Sequence, residues 1–126
     1  MSQDIVADAL NMMRNAKKAR KEIVKINRIS NLLIEILKIM KQVGAVKKYK
    51  INSKEKIIEV TLGEFFECKA IKPRFTVKKD QIEKYRRRYL PARDLGIIIV
   101  STNKGLMTHK EAQEEKTGGS LIAYFY

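Results

Sequence analysis

Residues Ser30–Gly63 read SNLLIEILKIMKQVGAVKKYKINSKEKIIEVTLG, and two hydropathy periods in this one stretch set the architecture of the first half of the chain. Leu33, Ile36, Leu37, Met40 and Val43 recur at three- and four-residue steps, the spacing of a helix with one buried stripe. Ser30 stands where an N-cap is expected and Gly44 where the left-handed residue after a helix is expected. The period then changes. Ala45–Ile51 and Lys56–Leu62 are strand-like runs separated by the polar stretch Asn52-Ser53-Lys54-Glu55, which predicts a β-hairpin. Gly63 marks a break.

Upstream, Asp4 to Ala16 predicts an amphipathic helix. Ile5, Ala9, Met12 and Met13 are placed on its core face with Val6 and Leu10 beside them, and Asp4 and Asp8 lie near the positive end of the helix dipole. The methionines, Met40 included, read as core packing rather than as metal ligands. A basic stretch follows, Lys17-Lys18-Ala19-Arg20-Lys21, and then Glu22–Asn27 (EIVKIN) as a short strand.

Downstream, Lys69–Val77 predicts a strand interrupted at Pro73, hence at a sheet edge. Gln81–Tyr89 predicts a charged surface helix or turn ended by Pro91. Leu95–Val100 predicts a strand apolar on both faces. Ser101–Gly105 (STNKG) predicts a loop leading into a helix at Thr108–Lys116, where Thr108 and Glu111 have capping-box spacing. Gly118-Gly119 predicts a turn, and Leu121–Tyr126 a closing strand. The fold class is therefore α+β, with two small lobes at 1–64 and 65–126. The first is helix-strand-helix-hairpin; the second is mostly β with a short helix.

The chain has 126 residues and a formal net charge of +13, from 27 Lys and Arg against 14 Asp and Glu. Residues 1–63 carry 14 basic and 6 acidic side chains, and residues 64–126 carry 13 and 8, so the excess belongs to both halves. Charge of this size repels itself in a compact chain and fits a working state that includes a polyanion: RNA, DNA or an anionic membrane. The longest apolar run is far too short to span a membrane, and the N-terminus lacks the pattern of a signal peptide. Cys68, the single cysteine, permits no disulfide within the chain, and a reducing cytoplasm fits. No zinc set can be built from Cys68 and His109, which reads as a surface helix residue. No metal or cofactor is expected.

STNKG carries hydroxyls, an amide, a lysine and a permissive glycine. It suits contact with phosphate, ribose or base edges, and equally a turn that satisfies its own backbone; spacing alone leaves both open. A nucleotide-binding loop would need its glycines before the lysine. Lys84-Tyr85-Arg86-Arg87-Arg88-Tyr89 interleaves rings with guanidinium forks, as base stacking and phosphate pairing would require, although a solvated helix face has the same composition. Ser30-Asn31 offers a cap and, with it, an anion site. A small enzyme acting on RNA or nucleotides is one alternative, but no base stands beside Ser101 or Thr108 to make either a nucleophile, and Asp80, Glu83, Asp94 and Glu111 are scattered; Asp94 beside Arg93 reads as an ion pair. A basic DNA-binding or chromatin protein shares the charge, but neither a helix-turn-helix nor sustained heptads are evident.

Cys68–Ala112, with its KPRF, YLPARDLGI and STNKG-LMTHKEA motifs, resembles the small-subunit ribosomal protein eight family in its archaeal and eukaryotic form. Gly118–Tyr126 (GGSLIAYFY) and Asp4–Ala16 (DIVADALNMMRNA) are similar to the same family. The resemblance implies two α/β lobes, the first of αβαββ type. It implies a non-enzymatic, primary binder of the central domain of small-subunit ribosomal RNA, on an irregular helix with unpaired bases, that helps assemble the subunit in the cytoplasm. Neighbouring small-subunit proteins would be its other partners, with no membrane and no obligate homo-oligomer. The family's Ser-Thr-Ser-x-Gly loop maps onto Ser101, Thr102, Asn103, Lys104 and Gly105, with Asn103 in place of the third serine. Asn31 stands where the family commonly has lysine, and Ser120 where it often has Glu or Arg. The expected RNA contacts are the five loop residues with Ser30, Asn31, Asn15, Lys17, Lys18, Lys54, Arg86, Arg87, Gly118 and Gly119.

Overall fold

The computed structural model describes residues 5–71, 76–92 and 95–126. Asp4, Pro73 and the Arg93–Asp94 pairing lie outside them. The chain divides into two compact units, Met1–Phe65 and Phe66–Tyr126.

The first unit runs α1 (Ile5–Lys18), β1 (Ile23–Ile26), α2 (Asn31–Gln42), β2 (Val46–Asn52) and β3 (Ile57–Leu62), with an antiparallel sheet in the order β1-β3-β2. Ser30 caps α2 as its position predicts, its Oγ accepting from the Leu33 N–H at 3.0 Å. Gly44 follows with φ +89°. The helix ends one residue earlier than the stripe suggests, so Val43 is a cap residue left largely exposed and Ile39 takes its place in the core with Leu33, Ile36, Leu37 and Met40. The α1 stripe is also rotated from the expected one. Val6, Ala9, Leu10, Met13 and Ala16 are buried, Ile5 is half-buried, and Met12 is 39% exposed rather than part of the core. Lys17 and Lys18 continue the helix; the chain leaves it through Arg20, whose φ is +60°.

The second unit is a sheet with two short helices on it: β4 (Cys68–Ala70), β5 (Thr76–Val77), a 3-10 turn at Lys79–Gln81, α3 (Ile82–Tyr89), β6 (Ile97–Thr102), β7 (Gly105–Thr108), α4 (His109–Glu114) and β8 (Gly119–Phe125). The order is β4-β8-β6-β7, with β5 also paired to β8, so the segments on either side of Pro73 do run along the edge. Ile98, Val100, Met107 and Leu121 form the core with Ile82 and Leu90 from the α3 region and Ala112 from α4. Ile98, Ile99 and Val100 are all fully buried, which is why this strand lacks polar alternation.

Two boundaries differ from the expected ones. The apolar strand starts at Ile97, because Gly96 has φ +97° and Leu95 is 44% exposed, and it continues through Ser101 and Thr102. STNKG is therefore the bend of a β-hairpin, with β7 between it and the helix. Gly118-Gly119 is not the turn; Lys116, with φ +55°, supplies the left-handed residue, and Gly119 already belongs to β8.

Candidate nucleic-acid interface

The β6–β7 hairpin is closed from within. Thr102 Oγ1 donates to the Gly105 carbonyl at 2.9 Å and accepts from the Lys104 N–H at 3.1 Å. Gly105 has φ +111°, a conformation costly for any residue with a Cβ. These three fix the bend and leave Asn103 and Lys104 exposed at its tip. Lys104 Nζ lies 3.8 Å from Glu115 Oε1, both well exposed, so this pair holds the cation only weakly. Beside the hairpin, Ser101 is paired with Ser120 of β8, and Ser120 with Thr76 of β5. Directly opposed residues share a sheet face, so three strands line up three hydroxyls; the Thr76 and Ser120 oxygens are 3.4 Å apart. The double glycine permits this close packing. A Cβ on Gly119 would stand 2.2 Å from the Ser101 carbonyl oxygen, and one on Gly118 2.3 Å from that of Val77. Ser101–Gly105, Gly118 and Gly119 are thus brought together with two hydroxyls, Thr76 and Ser120, that were not among the expected contacts. Thr76 was hidden because only the pairing of β5 with β8 puts it there.

The remaining expected contacts lie elsewhere. Asn15 and Lys18 are exposed near the end of α1, Asn31 is exposed on the first turn of α2, and Lys54 is exposed at the β2–β3 bend. The Ser30 hydroxyl is engaged in its cap. Lys17 is committed to its own lobe: Nζ donates to the Gly63 carbonyl at 2.6 Å and sits 5.7 Å from the Phe65 ring centre. Arg86 is only 9% exposed, its Nε and Nη2 each 2.8 Å from Glu83 Oε1. That hydrogen bond, ahead of the nearby positive charges, holds the Glu83 carboxyl below its ordinary range. Arg87, one residue on, keeps 74% of its side chain in solvent.

His109 is not a surface residue. It is 1% exposed, and its Nδ1 accepts from the Ile98 N–H at 3.1 Å, closing the start of β6. Burial, reinforced by Lys110 and Arg86, pushes its pKa down to about 4, so the ring is neutral. It is the chain's one histidine, and its Nδ1 is taken up by the Ile98 N–H. Thr108 is itself engaged in the capping box with Glu111. Among the described residues no three His, Cys, Asp or Glu side chains gather as a metal-binding group.

The sequence matches the family model for ribosomal protein S8 over residues 4–126. It is 47% identical, over 129 aligned residues and the full length of both chains, to small ribosomal subunit protein uS8 of Nanoarchaeum equitans. It is 38% identical, over 130 residues and again the full length of both, to small ribosomal subunit protein uS8 of Archaeoglobus fulgidus. This chain belongs to the ribosomal protein S8 family. The S8 family is structural and not enzymatic, and ribosomal RNA binding is its role, which disfavours the DNA-binding and enzyme readings. For an S8 chain the hydroxyl row is a set of donors and acceptors rather than nucleophiles.

Proposed function

We propose that this chain, a structural constituent of the small ribosomal subunit, holds the central domain of the subunit's ribosomal RNA through the hydroxyl edge of its second lobe and helps assemble the subunit there. The hydroxyl row with its exposed hairpin tip carries the reading. Ser101, Ser120 and Thr76 can donate to and accept from 2′-hydroxyls and base edges of an irregular RNA helix, and Asn103 adds an exposed amide at the hairpin tip. Lys104 supplies charge at the tip, and Arg87, Lys18 and Lys54 supply it elsewhere, each neutralising phosphate and releasing counterions. Asn31 would add a neutral hydrogen bond, and Asn15 leaves the proposed contacts because it lines an apolar groove beside Met12. Lys17 and Arg86 drop out of the proposed contacts, because their charged groups already hold the protein together. Thr102 acts by holding the bend.

The test is binding to a central-domain fragment of small-subunit RNA across a salt series, with Thr102→Ala and Lys104→Ala. Thr102→Ala frees the bend and lowers discrimination between the fragment and an unrelated duplex. Lys104→Ala weakens both RNAs alike and reduces the salt slope by about 1. A salt-independent affinity, or equal affinity of the unaltered protein for both RNAs, refutes the proposal.

A further inference from the structure

Strand β1 closes one edge of the first lobe's sheet and pairs only with β3 among the described residues. The Leu62 N–H donates to the Glu22 carbonyl at 2.7 Å, which fixes the phase of the ladder. The alternation of antiparallel bonds turns the N–H and C=O of Val24 and Ile26 toward β3, leaving those of Ile23 and Lys25 on the open side. A groove of about 490 Å³ lies beside that edge, between the strand and the flank of α1. Met12 from α1, Ala19 just past its end and Val24 from β1 make its apolar lining, with Met12 39% exposed. Asn15, Lys21 and Lys25 complete it, and neither lysine has an ion pair among the described residues.

We infer that this edge accepts an added β-strand: an extended segment of another small-subunit protein, alternating apolar and acidic residues. That the partner belongs to the small subunit rests on the function proposed above; the strand-accepting edge does not. An open edge beside an apolar groove is the usual receptor for strand addition. RNA gains nothing from burying Met12, Ala19 and Val24, and a second copy of this chain would bring another +13 of charge to the contact. Lys21 and Lys25 call for acid. Register sets the pattern. Residues opposite Ile23 and Lys25 point outward, where a carboxylate meets Lys25, while the residues between them point toward Met12 and Ala19.

The isotope-labelled full chain is titrated with the peptide Thr-Glu-Val-Glu-Val-Glu-Thr and followed by the amide signals of Ile23 and Lys25. Both signals move and become protected from exchange, and a peptide with lysine in place of glutamate does not bind. Ile23→Pro deletes an N–H that the protein's own ladder does not use, and Lys25→Glu reverses the rim charge. Each weakens the peptide by about tenfold or more and leaves the affinity for the RNA fragment unchanged. In assembled subunits, a photo-crosslinking residue at position 12 joins a protein segment of this alternating pattern. The inference is overturned if the peptide moves other signals, if both variants bind it normally, or if the crosslink goes to RNA, to a second copy or nowhere. Failure of RNA binding with peptide binding intact would strike the proposed function alone.

Discussion

Lowering the pH from about 7 to about 5 tests the buried histidine. The unfolded chain carries His109 at its ordinary pKa of 6.5, whereas in the fold the value is about 4. Above 6.5 the ring is neutral in both states and contributes no pH dependence. Between 6.5 and about 4 the unfolded chain takes up a proton that the folded chain refuses, so stability falls as pH falls, by about 1.4 kcal/mol per pH unit once well below 6.5. The loss is about 2 kcal/mol at about pH 5 and levels off near 3 kcal/mol below about pH 4. Glu83 acts in a lower window. Its depressed carboxyl contributes stability that begins to fade only as pH falls below its ordinary 4.5, so the interval above that belongs to the histidine. Tyr85, Tyr89, Tyr124 and Tyr126 pack against the second lobe's core and the chain has no tryptophan, so tyrosine fluorescence reports chiefly on this lobe. Urea unfolding followed by that signal should show the midpoint dropping by about 1 M between the two pH values. His109→Gln offers the Ile98 N–H a carbonyl acceptor that does not titrate, and should flatten the response. An unchanged midpoint in the natural protein, or an undiminished drop in the variant, refutes the argument.

Two glycines should fail for different reasons. Gly119→Ala forces its Cβ against the Ser101 backbone and separates β8 from β6, costing about 1–3 kcal/mol and loosening RNA binding, whereas Gly105→Ala meets open space and costs about 1–2 kcal/mol through its positive φ; thermal unfolding with RNA titration separates them. Adjacent arginines should also part company. Arg86→Ala removes the nearest partner of Glu83 and lowers the unfolding midpoint with little change in the salt slope of RNA binding, while Arg87→Ala, which gives up only a long, exposed pair with Glu83, flattens that slope at nearly constant stability.

Local signals carried much of this fold. The Ser30 cap, the α2 stripe, the hairpin after it and the Thr108–Glu111 capping box are each written within a few residues, and the structure has them all. What the sequence hides depends on distant partners. The stripe containing Met12 and the one containing Leu10 and Ala16 differ by a small rotation of α1, and only the sheet beneath decides which is buried. His109 reads as a surface residue because its partner is a backbone N–H eleven positions earlier, on another element. Ser101 and Thr102 look like a loop because polarity resumes there, yet hydroxyl residues extend a strand readily where the sheet nears its rim. Arg86 and Arg87 are indistinguishable by composition; helix rotation alone buries one against Glu83 and leaves the other, 3.9 Å from the same carboxylate, largely in water.

The line of Ser101, Ser120 and Thr76 sits on backbone already immobilised by ladder bonds, with glycines holding the strands close. Serine and threonine have few rotamers to lose, whereas the lysines around them swing on long, mobile stems. On the proposed reading, a polymer arriving at this edge would find its selective contacts set in place beforehand, and most of the entropy lost on docking would fall on the lysines, whose grip is indifferent to sequence.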